Sequence, residues 1–406
     1  MVTLRAQVLV VGAGPAGAEL ARQLAATGVA VLLVDQLTDL SQAAFSSAAM
    51  PFASLERFGL PAQVVASRWR GWQLLGPAEQ RRCWRASAPL GVVLDFGALR
   101  QWLADQCRRF GGQVQLGLRA FDCQPQGAGW RTLLRDRQGA VQEVISDWVV
   151  DASGPGRALI GAFTPPPRAG EAGRDWVQGV GVEWLLQVPL GCWQSWSDQL
   201  SFCLGSDWVA QGYGWIFPMA PGQLKVGVCR LRPDRQLPPL GRVLEQLLGR
   251  LFSPEERQAS AVLDRHGGLI SSSIRRRDCH GQGRLLAIGD AVSTANLLGG
   301  EGIRHALSSS RVLAPLLLEA IQSGESLPLR QYEQQLSQRL GWRWSLSGRL
   351  ARRTWLGLTG PKADQRLSRL LVGLEPRSAE DLAALLFDYR FERYGIRSLP
   401  YLVGMR

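Results

Sequence analysis

The sequence is poor in the residues that would make a metalloprotein or a disulfide-stapled scaffold. Histidine occurs three times in 406 residues, at positions 266, 280 and 305, and never in an HxxE or HxxxH spacing. No metal site is expected from so few ligands. Seven cysteines, at 83, 107, 123, 192, 203, 229 and 279, stand singly. No two of them have metal or redox spacing, and an odd number without a secretory signal points to reduced thiols in a cytoplasmic setting. No uninterrupted run of about eighteen apolar residues occurs, so no transmembrane helix is expected. The first apolar run begins at Val8, which leaves no expected room for a signal peptide. Repeats, low-complexity tracts and nucleic-acid modules are also missing.

What is present describes a folded chain of more than one lobe. Hydrophobic residues make up 46% and charged residues 20%, values typical of folded proteins, and the length exceeds the roughly 250 to 300 residues at which a single core stops growing. Forty-six basic residues against 34 acidic ones leave a net charge of +12. Such a balance favours anionic partners, with phosphate-bearing ligands and an anionic membrane surface ranked ahead of nucleic acid.

Three separated stretches carry chemistry. In the first, the apolar run Val8–Val11 enters Gly12-Ala13-Gly14-Pro15-Ala16-Gly17, a helix follows, and a second run from Val31 to Val34 ends in Asp35. In this pattern Gly12 makes the tight turn, Gly14 lets a diphosphate approach the backbone, and Gly17 lets the helix pack on the strand. The helix N-terminus then offers free N–H groups to the phosphates, and Asp35 can accept from a ribose. In the second, a buried strand ends in Asp151-Ala152-Ser153-Gly154. In the third, Ile288-Gly289-Asp290 precedes Gly299-Gly300-Glu301-Gly302-Ile303 and a helix running to about Ser323. There Asp290 can accept from polyol hydroxyls, and the helix end suits an electron-rich ring or a phosphate. A lone His305 on that helix reads as a packing residue.

Between these stretches the pattern is coarser. Residues 36 to 60, with Ser41, Ser46 and Ser47 and helical spacing from Phe52 to Phe58, leave the nucleotide fold and fit either an excursion passing close to a bound ring system or an ordinary surface loop. Residues 64 to 94 interleave Trp and Arg and predict strands of a second sheet, fitting either a ligand surface or half-buried strands. A helix is expected from Ala98 to Phe110, strands at 114–118, 130–134 and 141–145, and a stiff linker at Pro165-Pro166-Pro167. Strands are also expected at 179–187, 200–204, 215–217 and 224–229, helices at 240–251 and 254–263, and a returning strand at 270–274. The window Tyr213-Gly214-Trp215-Ile216-Phe217-Pro218 suits either a pocket wall for a greasy ligand, through Tyr213, Trp215 and Phe217, or a sheet core. From Arg339 to Leu358 the chain is rich in Trp and Arg, fitting an interfacial amphipathic helix or an ordinary cap on the core.

Together the three motifs resemble the FAD-dependent oxidoreductases of the para-hydroxybenzoate hydroxylase fold. The DASG segment, the Tyr-Gly-Trp-Ile-Phe-Pro window with Val226-Gly227-Val228, and the GGEGI segment look most like the geranylgeranyl reductase and lycopene cyclase branch. The resemblance spans about residues 5 to 325. It implies an α/β fold: a Rossmann-like FAD-binding domain (1–160 and 270–330, with an excursion at about 45–95), a mixed β-sheet substrate domain (165–268) and a helical C-terminal cap (331–406). It implies one extended FAD, with the diphosphate on Gly12 to Gly17, the adenosine ribose on Asp35 and the ribityl chain on Gly289 and Asp290. Gly299 to Ile303 would lie at the ring, and Asp151 and Gly154 near the adenine half.

Two departures stand out. Relatives often carry Arg directly after the acid at position 95, touching the cofactor phosphates; this chain has Phe96 there, and Arg100, four residues on, is the candidate cofactor-binding residue. Many reductases of the branch carry a Cys-Gly-Gly stretch where this chain reads Phe45-Ser46-Ser47-Ala48-Ala49-Met50. The activity implied is reduction of C=C bonds in an isoprenoid, with NADPH as a transient co-substrate and Glu301 as candidate proton donor. A flavin hydroxylase, a lycopene-cyclase-like enzyme without net redox change, and a flavin-binding protein without turnover are the alternatives.

Overall fold

The computed structural model describes residues 3–42, 46–164, 175–231, 236–276 and 278–394. The expected Pro165–Pro167 linker and Phe45 lie outside them.

Continuous apolar runs build the centre of the first sheet. Val8–Val11, Val31–Val34 and Trp148–Val150 are buried on both faces, as parallel strands covered on two sides must be. Five parallel strands lie side by side in the order Leu285–Ala287, Val141–Asp151, Thr3–Val11, Val31–Asp35 and Gln113–Leu116. An antiparallel pair, Arg119–Gln126 and Gly129–Arg135, extends from the start of Val141–Asp151. The expected separate strands at 141–145 and 148–150 are thus one, because Ser146 continues the ladder opposite both Ala6 and Trp130. Arg119–Gln126 was not foreseen; its polar, half-exposed sequence gives little pattern.

The helix Pro15–Ala25 lies between Phe96–Arg109 and the long helix Ile303–Ser323. Phe96–Arg109 starts where Asp95 accepts from the Ala98 N–H at 2.9 Å, the usual N-cap. The long helix is fastened to the first motif: Ser310 Oγ donates to the Ala16 carbonyl at 2.6 Å, and Ser309 Oγ accepts from the Gly289 N–H at 2.9 Å.

A second, seven-stranded sheet runs in the order Ala261–Ser273, Trp176–Gln187, Gln223–Leu231, Gly212–Pro218, Gln199–Leu204, Gly71–Leu75 and Arg81–Arg85. All its pairings are antiparallel except that of 199–203 with 71–75. The Trp/Arg segment therefore supplies the far edge of this sheet as well as two strands of a small three-stranded sheet, Ala49–Pro51, Gly91–Leu94 and Val65–Trp69. The expected helix at 254–263 is corrected: it stops at Gln258 after a Ser253/Glu256 capping box, and residues 261–273 form one long edge strand. Exposed or half-exposed positions on both faces over most of that strand, with two glycines in its middle, leave no clear hydrophobic period. One face of the sheet packs on the helix Leu240–Leu251 through Ile216, Val226, Val228 and Leu244. The other is aromatic.

Four helices, Leu329–Leu340, Arg343–Leu356, Pro361–Leu374 and Ala379–Asp388, complete the C-terminal region. The tryptophans read as a possible membrane face divide. Trp344 and Trp355 are buried, donating to the carbonyls of Ser273 and Leu297 at 2.9 and 3.1 Å, while Trp342 is 70% exposed. The helix 343–356 is a packing element along most of that stripe. Among the described residues no helix is long and apolar enough to cross a membrane.

The turn at Gly12 is a tight junction. Gly12 has φ of +108°, and a Cβ there would meet the Ala152 carbonyl oxygen at 2.4 Å; a Cβ on Gly17 would lie 1.9 Å from the Gly12 oxygen. Gly17→Ala is therefore expected to destabilise the protein by about 3 kcal/mol, the upper end of overpacking costs. Denaturant unfolding checks this, and an unchanged midpoint would contradict the close approach.

Candidate active site

The three motifs meet at the carboxyl ends of the parallel strands, where ligands of open α/β sheets bind. A cleft of about 290 Å³ is lined there by Gly14, Pro15, Ala16, Gly154, Asp290, Gly299, Gly300, Gly302 and Ile303. On the far side it is walled by Phe202, Tyr213, Trp215, Phe217 and Ile270 of the second sheet. Two helix N-termini open on it. Gly14 caps Pro15–Ala25 and Gly302 caps Ile303–Ser323, and neither has a side-chain cap. Their first N–H groups are thus left to a ligand, with the positive ends of two helix dipoles behind them.

The glycines differ in what they do. Gly12 and Gly17 are held by packing, but Gly14 has φ of −69° and a Cβ there would meet nothing within 4 Å. Any residue could sit at 14 as far as the fold is concerned, so the open space suits a ligand brought against the backbone. Ala13 donates its N–H to Asp35 Oδ2 at 2.6 Å, and Leu37 donates to Oδ1 at 2.8 Å. Asp35 is thereby fixed at its strand end with lone pairs to spare. Gly300 has φ of +67°, and its missing Cβ leaves room for the Tyr213 hydroxyl, which would otherwise be 2.9 Å away. Asp290 is pushed up to about 6 by burial, partly offset by the Thr294 hydroxyl and by Arg276.

Three expectations change. Asp151 Oδ1 accepts from the Ser153 N–H and hydroxyl at 3.0 and 2.6 Å, and Oδ2 accepts from the amides of Leu159 and Ile160 at 2.8 Å each. Its carboxylate is spent on holding its own turn, and Gly154 rather than Asp151 lines the cleft. Glu301 is not poised to give up a proton. Although burial opposes ionisation, Arg304 and His305 hold its carboxyl down at about 2. It is bound by the Arg304 guanidinium and by the Tyr389 hydroxyl at 2.9 Å. Arg100 does not line the cleft. Its guanidinium lies 4.9 Å from the centre of the Phe96 ring and donates to the Gln42 carbonyl, while its buried Nε has no partner among the described residues. Phe96 lines the cleft in its stead.

Several cleft residues escaped the sequence reading. Phe202 and Ile270 lie on strands whose facing could not be assigned without the register, whereas Ser46 and Ser47 belong to the excursion that sequence offered as a neighbour of a bound ring. Gly179, Gly181 and Gly268 are a usable signal, since glycines inside strands mark close approach. Behind the wall, Trp215 Nε1 donates to the buried Glu183 at 2.8 Å, and Glu183 also meets His266 at 3.0 Å. These contacts fix the indole plane. His266 is raised from its ordinary value: desolvation lowers it, and Glu183 and Asp264 together outweigh that. Burial lifts the Tyr213 phenol well above its usual value and Cys229 to about 12, so both remain protonated at neutral pH.

A family profile described as an FAD binding domain matches residues 5–162. The chain is an FAD-dependent oxidoreductase. Its sequence is 29% identical to the digeranylgeranylglycerophospholipid reductase of Haloferax volcanii over 78% of this chain and 77% of that one. It is likewise 29% identical to the menaquinone reductase of Mycobacterium tuberculosis, over 77% and 76%. Among solved structures, the geranylgeranyl bacteriochlorophyll reductase-like protein of Thermoplasma acidophilum superposes with a TM-score of 0.78, at 19% identity, covering 98% of this chain and all of that one. That last similarity establishes the shared fold of the oxidoreductase.

Two outcomes test the site. Gly14→Val should leave the apoprotein's melting temperature within a degree or two, since nothing packs there, yet yield colourless protein with FAD affinity down by at least about a hundredfold; a yellow variant with full flavin content would refute the assignment. For Asp290, the folded pKa exceeds the unfolded one, so the ionised carboxylate costs stability above about pH 6 and the cost vanishes below the unfolded value near 3.8. Asp290→Asn should therefore melt higher than wild-type apoprotein at pH 8, with the gap closing on acidification towards pH 4. A gap constant across that range would contradict a desolvated, titrating Asp290.

Proposed function

We propose that the protein reduces carbon–carbon double bonds of a hydrophobic, isoprenoid substrate. The carrying observation is that one continuous cleft has glycine turns and helix N-termini on one side and Phe202, Tyr213, Trp215 and Phe217 on the other. Such a wall binds an apolar chain by burial and stacking, and the names of the relatives point the same way. In this reading Gly12 to Gly17 and Asp35 hold the diphosphate and adenosine of FAD, Asp290 its ribityl hydroxyls, and Gly299 to Ile303 the edge of its ring. Gly154 borders the adenine half.

Bound FAD supplies the two-electron chemistry. NADPH visits as the reductant, and the balanced change is NADPH, a proton and C=C giving NADP⁺ and a saturated CH–CH unit. The chain's own contribution is to align the chain against the ring and to exclude water. The parallel sheet with its helices then forms the cofactor domain, residues 165–268 the main part of the substrate domain, and residues after 331 a cap. Peripheral contact with an anionic membrane is consistent with the +12 charge and exposed Trp342 and would bring the enzyme to a lipid-borne substrate.

Anaerobic turnover of a polyprenyl substrate with NADPH should give one NADPH consumed per two mass units gained, with no oxygen requirement. Oxygen uptake matching NADPH would identify a hydroxylase instead, and product formed without net NADPH loss a cyclase.

A further inference from the structure

A second cavity, of about 270 Å³, lies on the other side of the Glu301–Arg304 pair from the cleft. Arg57, Arg304, Arg339, Arg343 and Arg390 contribute to its walls, and Asp388 is the one carboxylate that does. The charges do not cancel. Arg304 is committed to Glu301 and touches Asp388 at 3.5 Å, and Arg343 pairs with Glu392. Among the described residues, Arg57, Arg339 and Arg390 form no ion pair. The pKa of Arg57 is lowered first by desolvation and then by the positive charges of Arg339, Arg304 and Arg311, with Asp388 offsetting part of this.

The walls come from four distant segments: the helix Ala53–Phe58, the start of Ile303–Ser323, the junction of Leu329–Leu340 with Arg343–Leu356, and the end of Ala379–Asp388. Convergence of uncompensated guanidinium groups from so many elements costs repulsion unless an anion sits among them. Arginine forks match phosphate oxygens in pairs, and Lys225 and Lys362 are the only lysines of this sequence.

We propose that this cavity is a binding site for a phosphate or diphosphate group, with Arg57, Arg339 and Arg390 as its principal ligands and Arg304 as the shared wall towards the cleft. A small cavity of about 30 Å³, lined by Arg304 and Phe387 on one side and by Phe202, Phe217 and Gly300 on the other, lies between the two. The group therefore belongs either to the head of a substrate whose tail lies in the aromatic cleft, a case that rests on the isoprenoid reading, or to a free phosphate-bearing anion.

The test is calorimetric titration of the full-length, FAD-loaded protein with inorganic diphosphate at low and at physiological salt. Saturable binding is expected, weaker at the higher salt and reduced at least about tenfold in Arg57→Ala/Arg339→Ala. Partial recovery in Arg57→Lys/Arg339→Lys and unchanged flavin absorbance separate this from misfolding. No saturable heat with the wild type, or equal binding by the alanine variant, overturns the proposal.

Turnover then distinguishes the sources. If the alanine variant raises KM for a prenyl diphosphate but not for the matching prenyl alcohol, the group is the substrate's head. If diphosphate binding falls while both KM values stay put, the ligand is a free anion. Diphosphate binding without turnover of either prenyl compound would keep this site and discard the isoprenoid reading.

Discussion

Everything at the cleft depends on two helices being allowed to end without caps. An α-helix leaves its first N–H groups without intrahelical partners, and burying them without replacement is costly. Pro15–Ala25 and Ile303–Ser323 both begin at a glycine that offers no side-chain oxygen, and both point into one cleft. The remaining architecture keeps them there. Gly12 and Gly17 let the first helix sit against its strand, and Ser309 and Ser310 tie the second helix to the Gly289 turn and to Ala16. A ligand rich in anionic and carbonyl oxygens supplies what the caps do not.

The same constraint explains why the nucleotide motif was legible in the sequence and the opposite wall was not. A glycine turn between an apolar run and a helix is a local device; its residues touch one another, so spacing carries the information. The acid at 151 stands in the same kind of context as Asp35, but its fate is decided by the amides of Leu159 and Ile160, which spacing does not place. The tryptophans are harder still. Trp72 donates to Ala379, more than three hundred residues later, and Trp355 to Leu297. Whether an aromatic stripe faces lipid, ligand or core depends on such distant partners, and composition is the same in all three cases. The edge strand 261–273 failed for a related reason, since half-exposed residues and paired glycines give no clear period.

Glu301 shows how electrostatics settles a role that motif position leaves open. An acid at the head of a helix beside the cleft suits proton transfer, but a carboxylate bound by a buried guanidinium is stabilised in its charged form. Removing it would strand Arg304 in a low-dielectric setting, a change that typically costs about 3 to 5 kcal/mol. Its work is structural: with Arg304, His305 and Tyr389 it seals the helix start against Ala379–Asp388. The first turn of the long helix can then border the cleft through Gly302, Ile303 and Ala306 while Arg304 and His305 line the cavity behind.

That division has a consequence for charge. Arg304 spends its positive charge on Glu301 and so contributes little net field to the cavity beyond, whereas Arg57, Arg339 and Arg390 form no ion pair among the described residues and share the cavity with Asp388. The seal is thus neutral on the side of the aromatic cleft and basic on the other. A net excess of twelve positive charges need not be spread evenly to keep a protein soluble. Concentrating part of it across a neutral partition from an aromatic cleft gives the two cavities different preferences, one for apolar groups and the other for anions.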